Sequence, residues 1–335
     1  MLSRIGAVFD PYIWALMAMV GLASALPAVG DFAAALQGLV NACIVVLFFL
    51  HGAKLSREAV VAGAGHWRLH LAVLAASFVL FPLLGMGLAA ISGLPPRLAT
   101  GLVFLSLLPS TVQSSIAFTA VARGNVAAAV CSAAVSNLLG IFLTPLLVAW
   151  ALGGSGAGVS LEAVERIVGQ LLVPFVAGHM LRPWIGGFIG AHKAAVGLVD
   201  RGSILLVVYS AFSAAVAQGL WHQLPGAVLA QTVALCAVLL AVVLGLTWLA
   251  GRGLGLARAD AIVLQFCGSK KSLATGVPIA GVLFPASQVG AVILPLMVFH
   301  QLQLIACAIL ARQYGQVDAG PDVDGDAGGE ARQSA

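Results

Sequence analysis

The chain has 335 residues, 61% of them hydrophobic and only 8% charged, with five cysteines and a formal net charge of +4, and its mean hydropathy is +1.06. One buried core cannot hide that much apolar surface, which excludes a soluble globular domain and makes the bilayer the solvent. The net charge belongs to membrane topology and gives no sign of nucleic-acid binding, while Cys43, Cys131, Cys236, Cys267 and Cys307 show no paired spacing for disulfides or a metal site.

Crossing the hydrocarbon takes about 20 mostly apolar residues. Ten such segments are predicted in chain order, near residues 11–29, 32–51, 69–91, 98–122, 125–151, 163–185, 202–220, 227–250, 259–283 and 288–311. The apolar stretch after Asp10 runs straight into a second one, so no cleaved leader is expected. The fourth segment is interrupted by Pro109-Ser-Thr-Val-Gln-Ser-Ser, which brings Ser110, Thr111, Gln113, Ser114 and Ser115 to membrane depth; Ser132, Ser136 and Asn137 follow in the fifth. The ninth carries Phe266-Cys-Gly-Ser-Lys-Lys-Ser, and the tenth His300, Gln301 and Gln303. Beyond about Tyr314 the composition turns to Asp, Gly and Ala, so residues 1–314 are expected to form one transmembrane domain and 315–335 a disordered acidic cytoplasmic tail.

Basic residues set the orientation. With the N-terminus cytoplasmic, twelve Lys and Arg, from Arg4 and Lys54 to Arg312 and Arg332, fall on that side and only Arg97 and Arg166 on the other. The asymmetry places both termini inside a multi-pass protein of the cell's inner (cytoplasmic) membrane, with the lipid bilayer as its partner.

The two remaining cations, Lys270 and Lys271, lie in mid-span. Each costs about 2.5–3.5 kcal/mol there unless protein or water surrounds it. Adjacent residues point about 100° apart on a helix, so an intact helix would turn one lysine to lipid; a broken helix would not. Proline and hydroxyls predict a second break in the fourth segment, since irregular backbone survives at membrane depth only against protein or a cavity. Laying the fourth segment over the ninth puts Gln113 over Lys270 and Ser115 over Ser272, so repeat one, about 10–151, and repeat two, about 163–311, each carry an interruption at the same point. Asn137 then roughly overlies His300, and Asn137 with one of His300 or Gln301 is expected to approach the site. Cys267, beside the lysines, is the one cysteine placed where water could reach.

The runs Leu108-Pro-Ser-Thr-Val-Gln-Ser-Ser-Ile-Ala-Phe-Thr, Ala122-Arg-Gly-Asn, Ser136-Asn-Leu-Leu-Gly-Ile-Phe-Leu-Thr-Pro, Phe266-Cys-Gly-Ser-Lys-Lys-Ser-Leu-Ala-Thr-Gly and Phe299-His-Gln-Leu-Gln-Leu resemble the bile acid/sodium symporter family. The likeness is to its bacterial SBF-like branch, which also includes the seventh mammalian member, and runs from about residue 5 to 314. The resemblance implies an all-α polytopic membrane protein of ten transmembrane helices in two inverted five-helix repeats, with broken, crossing fourth and ninth helices and a panel of spans 1, 2, 6 and 7, as in sodium/proton antiporters. It also implies uptake of organic anions with sodium, which is held by polar groups of the fourth and fifth helices and by a Glu and a Gln in the ninth.

The chain departs from that pattern. Anchored on Gly268, the Glu position is Phe266 and the Gln position Lys270, while the fifth-helix hydroxyl positions fall on Ala129 and Ala133. Ser114 and Ser115 still match a sodium site, but at about 4 Å and an effective dielectric near 20 an ammonium repels sodium by about 4 kcal/mol. The expectation is that a lysine replaces the ion, as a fixed or proton-gated charge balancing an anionic substrate. The candidate substrate and ion residues are Ser110, Thr111, Gln113, Ser114, Ser115, Asn137, Ser269, Lys270, Lys271, Ser272, His300 and Gln301. The expected function is secondary active symport of an organic anion by alternating access, coupled to Na+ as the family default or else to H+, with no cofactor and no catalytic constellation. The alternatives are a monovalent cation/proton antiporter of the same fold and a non-transporting, ligand-binding membrane regulator.

Overall fold

The computed structural model describes residues 11–54, 64–152, 165 and 168–317, and every regular element among them is helical. Helix α1 spans Pro11–Ala25 and α2 Gly30–Lys54. Helix α3, Trp67–Ile91, is continuous but contains a π-turn at Ala76–Leu80. The fourth expected segment is two helices, α4 at Pro96–Ser106 and α5 at Gln113–Val121, followed by α6 at Val126–Leu152. After a π-turn at Val168–Leu172 come α7, Val173–Ala191, and α8, Lys193–Ala217. A single turn at Leu220–Gln223 leads into α9, Gly226–Gly253. The ninth segment is again split, into α10 at Arg258–Gly268 and α11 at Leu273–Leu283, and α12 runs over Ala286–Val317.

Six of these, α2, α3, α6, α8, α9 and α12, are long and apolar enough to cross a membrane. Their outward faces are apolar as well: Ile91, Leu198 and Trp184 are among many large side chains exposed to the surroundings. Such a surface is stable only against lipid, so the protein is a multi-pass membrane protein. Residues 315–317, expected in the tail, are the last turn of α12; the rest of the expected tail, with Arg4, Arg57, Arg166 and Arg332, lies outside the described residues.

The helices pack in two groups joined by α8 against α12. Helix α2 lies along α7, α1 along α8, and α8 also against α2. The α2–α7 contact is backbone to backbone: a Cβ on Gly52 would sit 2.0 Å from Phe175 O, and one on Gly178 2.0 Å from Phe49 O. Such reciprocal small-residue contact is how membrane helices gain close packing without a hydrophobic drive. In the other group α4 packs on α12 and α3, and α10 on α9 and α3. There the two helix breaks meet.

Candidate functional site

The first break follows from Pro109. It cannot donate to Leu105, the helix ends at Ser106, and the carbonyls of residues 106 to 110 lose their helical donors. Each has another partner. Ser106 O and Leu108 O accept from Lys271 Nζ at 2.8 and 2.7 Å, Leu107 O from Thr144 Oγ1 at 2.9 Å, Pro109 O from Ser272 N at 2.9 Å, and Ser110 O from Asn137 Nδ2 at 2.7 Å. The freed Ser110 N–H donates to Ser136 Oγ. An orphaned buried carbonyl costs about 1–3 kcal/mol, so these partners are what makes an irregular strand tolerable at this depth.

The second break is satisfied largely by the first. Cys267 O accepts from Ser110 Oγ at 2.5 Å and Phe266 O from Ser115 Oγ at 3.1 Å, while Gln265 O accepts from Ser269 Oγ. Gln303 clamps the backbone of Lys271: its Oε1 accepts from Lys271 N at 2.8 Å and its Nε2 donates to Lys271 O at 3.0 Å. Ser272 caps α11, accepting from Thr275 N, and Thr275 Oγ1 donates to Asn137 Oδ1 at 3.1 Å.

The two lysines turn to opposite sides, and neither has solvent-exposed surface. Lys271 Nζ has three carbonyl acceptors, Ser106 O, Leu108 O and Ser77 O, the last at 2.8 Å, with the Phe81 ring 4.1 Å away. All three ammonium donors are therefore used, at the carbonyl end of α4 where the helix dipole favours a cation. Lys270 Nζ donates to Ser114 O at 2.9 Å and lies 3.9 Å from the Phe118 ring and 5.4 Å from that of Phe266. It is held by one carbonyl and two aromatic faces.

Most of the residues expected at the site gather here. Ser110, Ser115, Ser269, Lys270, Lys271 and Ser272 are buried together, and Thr111 Oγ1 bonds both Ser114 Oγ and Ser115 Oγ. Asn137 bridges the breaks. His300 reaches the cluster through Gln303 Nε2, 2.9 Å from its Nδ1, whereas half-buried Gln301 makes none of these contacts. Ser132 pairs instead with His70, and Cys267 is sealed from water. Where sodium would bind, Ser114 O is taken by Lys270, and Ala129, Ala133 and Phe266 are fully buried.

Gln113 departs from its expected place. It is exposed and, with Ala53, Lys54, His179, Arg182 and Lys193, lines a cavity of about 750 Å³ between α2, α7, α8 and the N-terminus of α5. Lys54 forms an ion pair with Asp200 on its wall. His179 Nδ1 and Asp200 Oδ1 are buried without a partner among the described residues.

Sequence reasoning missed Ser77, Phe81, Phe118 and the charged lining of this cavity. Three had signals. Phe118 follows Ser114, and Lys270 follows Phe266, by four residues, one helical turn. At Ser77 the signal is Pro82: Phe81 N–H turns back to Ala76 O in the π-turn, and Pro82 has no N–H, so Ser77 O is left without a helical donor.

The profile of the SBF-like CPA transporter family matches residues 10–316. The chain belongs to that family. Within the SBF-like transporters it is 55% identical to protein PA2026 of Pseudomonas aeruginosa over 318 residues, 94% of this chain and 96% of that one. It is 53% identical to the Escherichia coli protein named "Putative symporter YfeH", over 92% of this chain and 93% of that one. Sodium/bile acid cotransporter 7 of Danio rerio is 25% identical over 80% of this chain and 81% of its own length. This places the chain among transporters of the bile acid/sodium symporter type, as its motifs suggested.

Proposed function

We propose that the protein is an alternating-access symporter of an organic anion, built from ten membrane-crossing segments in two inverted halves within one transmembrane domain. The neighbour pattern supports the inverted repeat: α1 packs on α8 as α7 packs on α2, the pairing a two-fold exchange of halves requires. Lys54, Arg182 and Lys193, all assigned to the cytoplasmic side of the inner membrane by the positive-inside rule, meet at one cavity.

The observation that carries the reading is that cavity. Its volume, about 750 Å³, suits a small-molecule ligand. Three basic side chains and His179 face it against one carboxylate, Asp200, which pairs with Lys54, and it ends at Gln113, the N-terminus of half-helix α5, where the helix dipole attracts negative charge. The buried lysines combine the ion-replacing role expected of them with a structural one. Sealed by carbonyls and aromatic rings, they hold the crossing together and supply the charge that sodium carries in the mechanism the resemblance implies, so symport of the anion is coupled to protons and does not need sodium.

The test is uptake into proteoliposomes across a panel of carboxylates, sulfonates and phosphate esters under imposed sodium, proton or no ion gradients. Saturable, sodium-independent uptake of an anion, with KM raised about tenfold in Arg182→Gln and Lys193→Gln, is the expected result. A strict sodium requirement removes the ion-replacement part of the reading. Exchange of a monovalent cation for protons with no anion uptake replaces it with the antiporter. Against that antiporter, Asp200 and Asp260 pair with Lys54, His66 and Asn125 and bond to neither break.

A further inference from the structure

We propose that the main-chain carbonyls of Ser77, Ser106 and Leu108 form a monovalent-cation site whose resident cation is the Lys271 ammonium, so that truncating this side chain opens the site to a free ion. Three oxygens, one from α3, one from the last residue of α4 and one from the break after it, lie 2.7–2.8 Å from one point, the Lys271 nitrogen. Their convergence is built by the fold. The π-turn and Pro82 leave Ser77 O without a helical donor, and the chain break after α4 does the same for Ser106 O and Leu108 O.

The ligand class follows from the oxygens. All three are neutral carbonyls and no carboxylate among the described residues pairs with Lys271 Nζ, which suits a monovalent ion, as in carbonyl-lined channel filters, and not a divalent one that needs anionic ligands. The Phe81 ring face completes the surroundings at 4.1 Å. The hydroxyl of Ser77 is buried with no hydrogen-bond partner among the described residues, so of that residue only the carbonyl serves the site. Lys270, with one carbonyl and two rings, has no such set of oxygens. Of the adjacent lysines, Lys271 is thus the one whose removal exposes a cation site.

The site rests on the transport reading only for its consequence, that anion uptake by a Lys271→Ala protein comes to depend on an added cation. The site itself is tested without substrate. The thermal midpoint of full-length purified Lys271→Ala is followed in choline chloride and then with ammonium, potassium or sodium replacing choline at constant ionic strength, beside the parent and Lys271→Met. The parent is expected to melt at the same temperature in every salt. Lys271→Ala melts lower in choline and saturably regains most of the loss with at least one small cation, as binding to the folded state alone requires. Lys271→Met, whose side chain fills the space, melts lower and does not respond.

A Lys271→Ala protein indifferent to all three cations overturns the proposal, as does a parent that responds as strongly as the variant. The parent also provides a test that needs no variant to fold. The sequence has four lysines, Lys54, Lys193, Lys270 and Lys271, and with lysine Nζ labelled by ¹⁵N the Lys271 signal is expected to be an ammonium protected from exchange with water. A neutral or freely exchanging amine there sinks the proposal. Absence of anion uptake in the parent overturns the transport reading and leaves these outcomes standing, whereas cation-indifferent Lys271→Ala beside normal parental uptake removes only the cation site.

Discussion

Between α4 and α5 the chain supplies a proline, hydroxyls and no charge; between α10 and α11 it supplies two ammonium groups and no proline. The first break is a cluster of carbonyls without donors and the second brings donors to them, Lys271 Nζ to Ser106 O and Leu108 O and Ser272 N to Pro109 O. Return contacts run from Ser110 and Ser115 to the carbonyls of Cys267 and Phe266. Positions that match in the two halves have thus come to do different things. Gln113 faces the cavity, whereas Lys270, which overlies it, is sealed. The difference teaches that one half of the crossing opens onto the cavity, while the other provides the internal charge that lets the first remain unwound.

The comparison is broken most severely at Lys271. Lys271→Met leaves three buried acceptors unpaired and is expected to cost about 3 kcal/mol or more, read as a large drop in thermal midpoint. Gln303→Leu strips the clamp from the Lys271 N–H and C=O and should cost about 2 kcal/mol by the same measurement. Lys270→Gln removes one carbonyl contact and two ring contacts, for about 1–2 kcal/mol, but is expected to abolish sodium-independent uptake, a loss out of proportion to its effect on stability. Gln113→Ala sharpens the contrast from the other side. Exposed in the cavity, it should change the midpoint by no more than about 0.5 kcal/mol equivalent and raise KM for the anion. Equal destabilisation by Gln113→Ala and Lys270→Gln would mean that the two breaks are equivalent after all.

Much of this was legible beforehand. Proline with a hydroxyl run, and a lysine pair in an apolar span, each announced a break, because neither is compatible with an intact helix in lipid. The residues around them, Ser110, Thr111, Ser115, Asn137 and Ser272, do meet at the crossing. Gln301 and Gln303 lie two residues apart with the same chemistry, and only helix phase decides that Gln303 faces the break. Ser77 escaped notice because the group that matters there is a carbonyl, which every residue has. Arg182 and Lys193 counted only toward membrane orientation until α2, α7 and α8 drew them, with Asp200, around one cavity.

The sequence alone determined that the chain is helical, lives in lipid and belongs with bile acid/sodium symporter relatives. Hydrophobicity over about 20 residues and broken periodicity are local properties, and the bilayer offers few ways to satisfy them. Only the tertiary structure decided which side of the crossing each lysine serves and what lines the cavity. Those outcomes depend on which carbonyls and rings meet an ammonium within about 3–4 Å, and residues as far apart in the chain as Ser77 and Lys271 are brought that close only by packing.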